Sequence, residues 1–492
     1  MRPLNQTTLS GLGDLTAVPT YDRDNIRAGI AHLSVGNFHR AHQAVFIDRC
    51  LALPGQEGWG ILGIGVQETP AERVKADGLR RQDGLYTLTL FPPRGAPSTA
   101  VIGSIVGYLV APDDPGAVLD RLTEAEIRIV SLTITEGGYN IDERTGDFRL
   151  DAPAIVHDLA HPETPRTVFG LITEALRRRR RAGTPAFTVL SCDNLRHNGD
   201  VLRKGILAFA GAIDPTLAAW IGAEASFPNS MVDRITPAVT AADRERLNAQ
   251  TGIDDAVPIF AEDFIQWVIE DRFPTGRPAL EKAGVIFTSD VAAYEQVKLR
   301  MLNATHSMLS YPGLLLGHRL VHEAMADPRI LNYLRCFLDH DVIPLLEAPP
   351  GMSLEAYRDS VLDRFANPAI ADQLERITSD GAAKIPVFLG DTLAAILKQD
   401  GDCRRLAFLL AAYVTYLGGQ DEKGRPFRAD EPHLTAGDRD LIAASDPCQA
   451  LRIDPFKGLY VTPVLEAAFR LYRQRLQEGA ADRCLRELLQ PA

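Results

Sequence analysis

Apolar and polar positions alternate along this chain in two different textures. Up to about residue 290, short unbroken apolar runs stand at 28–36 (AGIAHLSVG), 59–66 (WGILGIGV), 127–134 (IRIVSLTI), 186–191 (AFTVLS) and 285–288. Runs of four to eight apolar residues bounded by turn residues predict strands buried on both faces. Between them lie stretches with helical spacing, notably 38–53 (FHRAHQAVFIDRCLAL), 114–122 and 166–180. Strands that alternate with helices build a mostly parallel sheet covered on both sides. Beyond about residue 290 the pattern becomes long helical periodicity, predicting helices at 294–309, 318–326, 330–346, 354–365, 392–399 and 403–417. The change of texture between 284 and 290 predicts an α/β domain over 1–286 and a largely α-helical domain over 287–492. No internal repeat and no low-complexity tract interrupts either part.

Composition narrows the partners. The chain has 492 residues, 46% of them apolar and 24% charged, with a mean hydropathy of -0.06. That length exceeds what one core serves, in keeping with two domains. A formal charge of -12 argues against nucleic acid or an anionic membrane surface as the main partner, since both call for a basic footprint. The basic run at 177–181 precedes Gly183 and reads as the solvated last turn of a helix, with cations at the favourable end of the dipole. No signal-peptide core opens the sequence and no stretch of about 18 apolar residues follows, so a cytoplasmic protein is expected. The six cysteines are scattered without a C-x-x-C pair, as reduced thiols would be.

Candidate chemistry begins at the first strand. Ser34-Val35-Gly36-Asn37-Phe38-His39-Arg40-Ala41 sits where a dinucleotide fold places its glycine-rich turn, whose backbone N–H groups receive a pyrophosphate. It is not a clean G-x-G-x-x-G, and a plain βα connection stays open on this ground alone. Glu68, at the end of the second strand, is placed to bind a ribose 2′-hydroxyl and to repel a 2′-phosphate, which favours NAD over NADP; a solvated strand-end carboxylate is the bland alternative. On the helix predicted at 294–309, a rotation of about 100° per residue puts Asn303 at about 140° and His306 at about 80° from Lys298. All three therefore project from one side, beside Val297, Met301 and Leu302. Apolar surroundings disfavour an ammonium, which suits a lysine to general-base work, and Glu295 one turn earlier suits a proton relay. On spacing alone, an amphipathic helix with a wet stripe is the more ordinary reading. Asn194, after the strand at 186–191, has an amide able to hold a forming alkoxide, although turns also favour this residue. A metal alternative rests on His318 and His322, spaced i,i+4 and followed by Glu323, with His39 and His42 a weaker pair; H-E-x-x-H is absent, and helix-face histidines are the simpler reading.

At these segments the chain resembles the mannitol dehydrogenase family, the polyol-specific long-chain dehydrogenases. The likeness runs over nearly the whole length. Its blocks are GNFHRAHQA at 36–44, TITEGGY at 133–139, SCDNL at 191–195, FPNSMVDRITP at 227–237 and the Lys298-x4-Asn303-x2-His306 spacing. The resemblance implies a Rossmann-type dinucleotide-binding domain, a helical substrate-binding domain and an active site in the cleft between them. It implies NAD as cofactor, no metal, a monomer, and a polyol or ketose as the small-molecule partner, with D-mannitol oxidised to D-fructose or a close analogue such as D-arabinitol or D-sorbitol. Carried over by residue, Lys298 is the general base, Asn194 and Asn303 form the oxyanion hole, His306 orients the substrate and Glu295 lies on the proton path. Asp233, Arg376 and Lys384 match substrate contacts, while Gly36, Asn37, Phe38 and Glu68 fall in the cofactor region. Ser34 departs from the family's first glycine, and Glu68-Thr69-Pro70 stands where an acidic pair is usual. A hexuronate reductase is the rival within this class, a non-catalytic NAD sensor the rival outside it, and a zinc-dependent alcohol dehydrogenase a third reading.

Overall fold

A computed structural model describes residues 1–142 and 145–489, which form two compact units, Met1–Ala292 and Ala293–Ala492. The first is built on β1 (Ala28–Leu33), β2 (Gly60–Gly65), β3 (Ile105–Val110), β4 (Ile129–Leu132) and β5 (Thr188–Ser191). They lie in the order β3-β2-β1-β4-β5, all parallel, with Ala31 opposite both Leu62 and Val130. Every residue of β1, β2, β4 and β5 is buried, which is why these strands read as unbroken apolar runs. Alternation divides them between two cores: Ile30, Ile61 and Ile129 face one, Ala31, Leu62 and Val130 the other.

The crossover helices start and stop where local chemistry dictates. In α1 (Asn37–Ala41) and α2 (Gln43–Leu51), the predicted single helix is broken at His42, whose φ of -124° and ψ of -86° leave the helical region. Thr69 caps α3 (Pro70–Arg81) by accepting the Glu72 N–H, Asp114 caps α4 (Pro115–Thr123), and Thr167 caps α5 (Val168–Ala182). Gly183, at φ +69°, ends α5 in the left-handed conformation. The basic run there is not uniformly solvated. Arg179 is 1% exposed, and its guanidinium donates to the carbonyls of Leu122 (2.9 Å), Ile127 (2.6 Å) and Pro185 (2.9 Å). A fork of five donors gathers carbonyls from two connections, after α4 and after α5, a task that a sequence of consecutive arginines does not announce.

The unit continues with α6 (Asn198–Ile213) and α7 (Ala241–Thr251). Three further sheets lie outside the doubly wound one, the smallest pairing Arg2–Pro3 parallel with Ile253–Asp254. Tyr86–Phe91 pairs parallel with Ile259–Glu262 and antiparallel with Ser98–Ile102. In the third, β6 (Ser230–Asp233) runs antiparallel to β7 (Gln266–Ile269), and β7 pairs parallel with β8 (Ile286–Phe287). The strand expected at 285–288 thus exists, within this small mixed sheet.

The second unit is helical. A continuous run begins with α8 (Val291–Val297), passes through a π-helical stretch, Lys298–Asn303, and continues as α9 (Ala304–Leu315). A second π stretch, Phe337–Val342, follows α10 (Pro328–Cys336). The helix expected over 318–326 begins only at Val321: Gly317 is left-handed at φ +95°, and the Glu323 carboxylate caps the helix by accepting the N–H groups of Arg319 and Leu320. His318 and His322 therefore do not share a helix face, and His318 is instead 3.3 Å from Asp327. Next come α11 (Leu354–Phe365), α12 (Gly381–Lys398), α13 (Arg404–Tyr416) and α14 (Pro463–Gln477). The core of this unit holds Phe408 between Tyr333 and Tyr472, both edge-on with ring centroids 5.6 Å away. Arg405 of α13 forms a bidentate pair with Asp341, at 2.5 and 2.7 Å, with both residues buried. Among the described residues, no helix is long and apolar enough to cross a membrane.

Candidate functional site

In the first unit, the C-terminal ends of β1, β2 and β4 meet at the point where strand order reverses, the usual ligand position in an open parallel sheet. Ser34 adopts φ +70°, the conformation for which glycine is usual, and donates its N–H to the Ile64 carbonyl at 2.8 Å. A serine there retains the turn at a cost of about 1–2 kcal/mol. Gly36 then caps α1 with no side-chain hydrogen bond and with open space where a Cβ would lie. A cavity of about 590 Å³ opens on Gly36 and Asn37, and is lined also by Arg40, Thr69, Lys75 and Arg244. Its size suits a nucleotide, and free first-turn N–H groups beside cationic side chains fit a pyrophosphate. Phe38 and Glu68 do not line it. Phe38 stacks on His42 at 4.9 Å, and Glu68 is exposed, 4.0 Å from Arg73.

Behind the turn, His32 and His39 stack at 3.5 Å, both fully inside the protein. Burial pushes His32 down to about 3 and His39 well below the ordinary histidine range, so both rings are neutral. His32 bridges the hydroxyls of Ser131 (2.8 Å) and Thr133 (3.1 Å).

At the end of β5, the Asp193 carboxylate accepts the N–H groups of Ile134 (3.0 Å) and Thr135 (2.9 Å) and the Tyr139 hydroxyl (2.8 Å), tying together two of the blocks read in the sequence. Asn194, the next residue, is exposed. Asn198, fully buried, donates to the carbonyls of Asp193 (3.0 Å) and Ser230 (2.8 Å) and accepts the Ser230 N–H (2.9 Å). It therefore couples the loop of Asn194 to β6, on whose last residue Asp233 sits, buried. Asn198 lies seven residues beyond the strand in a turn-like string, and no sequence signal separates it from ordinary turn asparagines.

In the second unit, Glu295 and Lys298 are each 8% exposed. Lys298 opens the π stretch and Asn303 closes it, with the Ala304 N–H reaching the Leu299 carbonyl five residues back. The uniform rotation assumed from the sequence does not hold here. Because each hydrogen-bonded ring contains an extra residue, the rotation per residue falls below that of an α-helix, and Asn303 lies nearer the Lys298 side than the uniform rotation placed it. His306 stacks on Phe365 of α11 with centroids 4.0 Å apart, which fixes the plane of the imidazole. Arg376 is exposed and paired with Asp372 at 2.5 Å. Lys384 lies in the first turn of α12 and donates to the Ser379 carbonyl at 2.7 Å.

The start of α12 rests on Glu431, which sequence reasoning missed. Its carboxyl accepts the N–H groups of Gly381 (2.9 Å) and Ala382 (3.1 Å). Only glycine fits at 381, since a Cβ would lie 2.0 Å from the Tyr311 hydroxyl. Burial raises Glu431 from 4.5 to about 7. A carboxyl raised in the fold favours the folded state most below its ordinary value, and that advantage is lost as pH rises toward 7. Glu431→Gln stays neutral throughout, so its stability relative to the parent is expected to improve between pH 5 and pH 8, on the order of 2 kcal/mol. Melting temperatures of both proteins across that range check this, and a pH-independent difference would count against it.

Among the described residues, no group of three or more His, Cys, Asp or Glu is arranged to hold a metal ion. A doubly wound sheet with a βα turn at its switch point, followed by a helical unit that groups a lysine, an amide and an imidazole, defines an α/β protein of the dinucleotide-binding class. Residues 28–282 match the family description "Mannitol dehydrogenase Rossmann domain" and residues 290–472 "Mannitol dehydrogenase C-terminal domain". The chain belongs to the mannitol dehydrogenase family. It is 49% identical over 455 residues to the polyol:NADP oxidoreductase of Gluconobacter oxydans, covering 92% of this chain and 93% of that one. It is 43% identical over 458 residues to the mannitol 2-dehydrogenase of Phaeosphaeria nodorum, covering 92% and 80%. Among solved structures, a D-sorbitol dehydrogenase in substrate-free form superposes with a TM-score of 0.93 at 46% identity over 99% of this chain and 100% of that one. Pseudomonas fluorescens mannitol 2-dehydrogenase, in a ternary complex with NAD and D-mannitol, gives 0.87 at 44% identity, covering 99% of each chain.

Proposed function

We propose that the protein is an NAD-dependent, metal-independent polyol dehydrogenase that oxidises a secondary alcohol of D-mannitol, D-sorbitol or D-arabinitol to the ketose. The observation that carries this reading is the π stretch bounded by Lys298 and Asn303, with His306 held in plane by Phe365. When bound, the nicotinamide supplies the hydride acceptor. The protein's own part is to take the proton and hold the charge. The Lys298 Nζ accepts the hydroxyl proton, and Glu295, three residues earlier, relays it toward solvent. Amide N–H groups of Asn303 and Asn194 donate to the alkoxide oxygen as it forms. His306 orients the reacting carbon's hydroxyl, and Asp233, Arg376 and Lys384 serve the distal hydroxyls. Gly36 and Asn37 receive the pyrophosphate of the cofactor.

The relatives' activities favour the same reading, since their names include mannitol 2-dehydrogenase and D-sorbitol dehydrogenase. A hexuronate reductase calls for a cation left over for the substrate carboxylate, whereas Arg376 is already neutralised by Asp372. Initial rates on D-mannitol, D-sorbitol and D-arabinitol with NAD, and on D-fructose and fructuronate with NADH, all in the presence of a chelator, test the proposal. Turnover of at least one polyol is expected, with the uronate a poorer substrate than the ketose. Faster reduction of fructuronate, or activity restored only by zinc, would overturn it.

A further inference from the structure

Arg405 and Arg300 are both buried in the helical unit, but in different company. Arg405 is matched by the Asp341 carboxylate. Arg300, in the middle of the π stretch, makes no ion pair among the described residues. Its Nε donates to the Thr392 hydroxyl at 2.9 Å and its Nη1 to the Leu345 carbonyl at 3.2 Å, while Nη2 is buried without a hydrogen-bond partner among those residues. Burial disfavours the charge, and Asp391, exposed on α12, offsets that only in part. A guanidinium held this way adds little to stability, because an apolar side chain of similar length would fill the space without the desolvation cost. What it supplies is direction, as a rigid fork with two fixed aims.

Those aims lie on two other elements. Thr392 is fully buried in the middle of α12, the helix whose first turn carries Lys384. Leu345 ends the single turn Ile343–Leu345, which follows the second π stretch. At about 100° per residue or somewhat less, Arg300 leaves the helix on the side away from Lys298, two residues earlier. The guanidinium therefore holds the back of a stretch whose other side carries Lys298. Rings of this size are rare inside α-helices, and one that persists needs support from outside the helix.

We propose that Arg300 is a positioning residue for proton transfer: by pinning the π stretch to α12 and to the turn at 343–345, it sets where the Lys298 amine and the Asn303 amide stand, without itself touching the substrate. This role presupposes the dehydrogenase reading of Lys298 and Asn303.

Arg300→Met fills the space with a straight apolar chain and removes the fork, and Thr392→Val removes only the hydroxyl that receives Nε. Initial rates with NAD on D-mannitol or D-sorbitol, whichever the parent turns over, are measured beside melting temperatures. Arg300→Met is expected to lower kcat by about 10–100-fold, the penalty for misplacing reacting groups by an ångström or less. KM for the polyol stays within about threefold and the melting temperature within about 4 °C of the parent. Thr392→Val is expected to lower kcat by about three- to tenfold, and combining it with Arg300→Met to cost nothing further, as for two ends of one contact. An unchanged kcat per folded molecule in both variants, whatever their melting temperatures, makes Arg300 structural and overturns the proposal, as does a double variant whose losses multiply. Lys298→Ala separates this from the wider reading. If that variant loses turnover while Arg300→Met keeps it, only the positioning role fails, whereas near-normal turnover of Lys298→Ala removes the general base and the positioning role together.

Discussion

Lys298→Ala is expected to lower kcat for polyol oxidation by about 10²–10⁴-fold, the range general-base catalysis contributes. The proposed role puts the whole proton transfer on one amine, 8% exposed and therefore poorly replaced by bulk water. The melting temperature of the variant shows whether the fold survives before the rates are compared. The pH profile is the discriminating measurement. The limb assigned to the lysine vanishes from kcat in the variant, and small primary amines added at tens of millimolar restore part of the rate. A folded Lys298→Ala protein with near-normal turnover would remove Lys298 from the chemistry and reopen the NAD-sensing reading.

The largest expected effect on stability is at Arg405. Its guanidinium grips both oxygens of Asp341, at 2.5 and 2.7 Å, inside the helical unit. Arg405→Leu leaves the Asp341 carboxylate without its partner in a buried site, which costs about 3–5 kcal/mol. Removing both charges together is another matter, because a buried pair replaced by apolar residues of similar volume is often neutral. The pair of variants therefore carries the argument. Urea denaturation should show Arg405→Leu strongly destabilised and Arg405→Leu/Asp341→Leu recovering much of the loss. A single variant within about 1 kcal/mol of the parent would mean that water already reaches the carboxylate.

How much of this could be read in the sequence depended on how local each signal was. The strands Ala28–Leu33, Gly60–Gly65, Ile129–Leu132 and Thr188–Ser191 were legible because parallel strands covered on both faces leave continuous apolar runs. Tyr86–Phe91 was not, since its threonines break the apolar run although the strand is almost wholly buried, and neither was Ser98–Ile102, whose first residue is exposed and whose serine and threonine blur the run. Lys298, Asn303 and His306 stood out by spacing, yet their true relation was hidden, because nothing in the residue types marks where a helix changes its hydrogen-bond ring. The cavity at the nucleotide turn was half legible. Gly36 and Asn37 come from one local motif, whereas Arg244 arrives about 200 positions later on an unremarkable polar helix. Arg179 shows the converse: its neighbours in a run of five arginines concealed that one of them is buried.

The stretch from Lys298 to Asn303 also works as a phase slip in a long screw. Every side chain from Ala304 to Leu315 points in a direction set by where that slip occurs, not only by its own place in the sequence. His306 meets Phe365 in the resulting orientation, while a straight α-helix through the same residues would turn the imidazole to another side. Insertions and deletions within α8 and α9 are therefore far less forgiving than substitutions. A single residue lost there would restore α-helical hydrogen-bond rings while turning both His306 and the buried side chains of α9 to another side, so the cost falls on packing as well as on the proposed site.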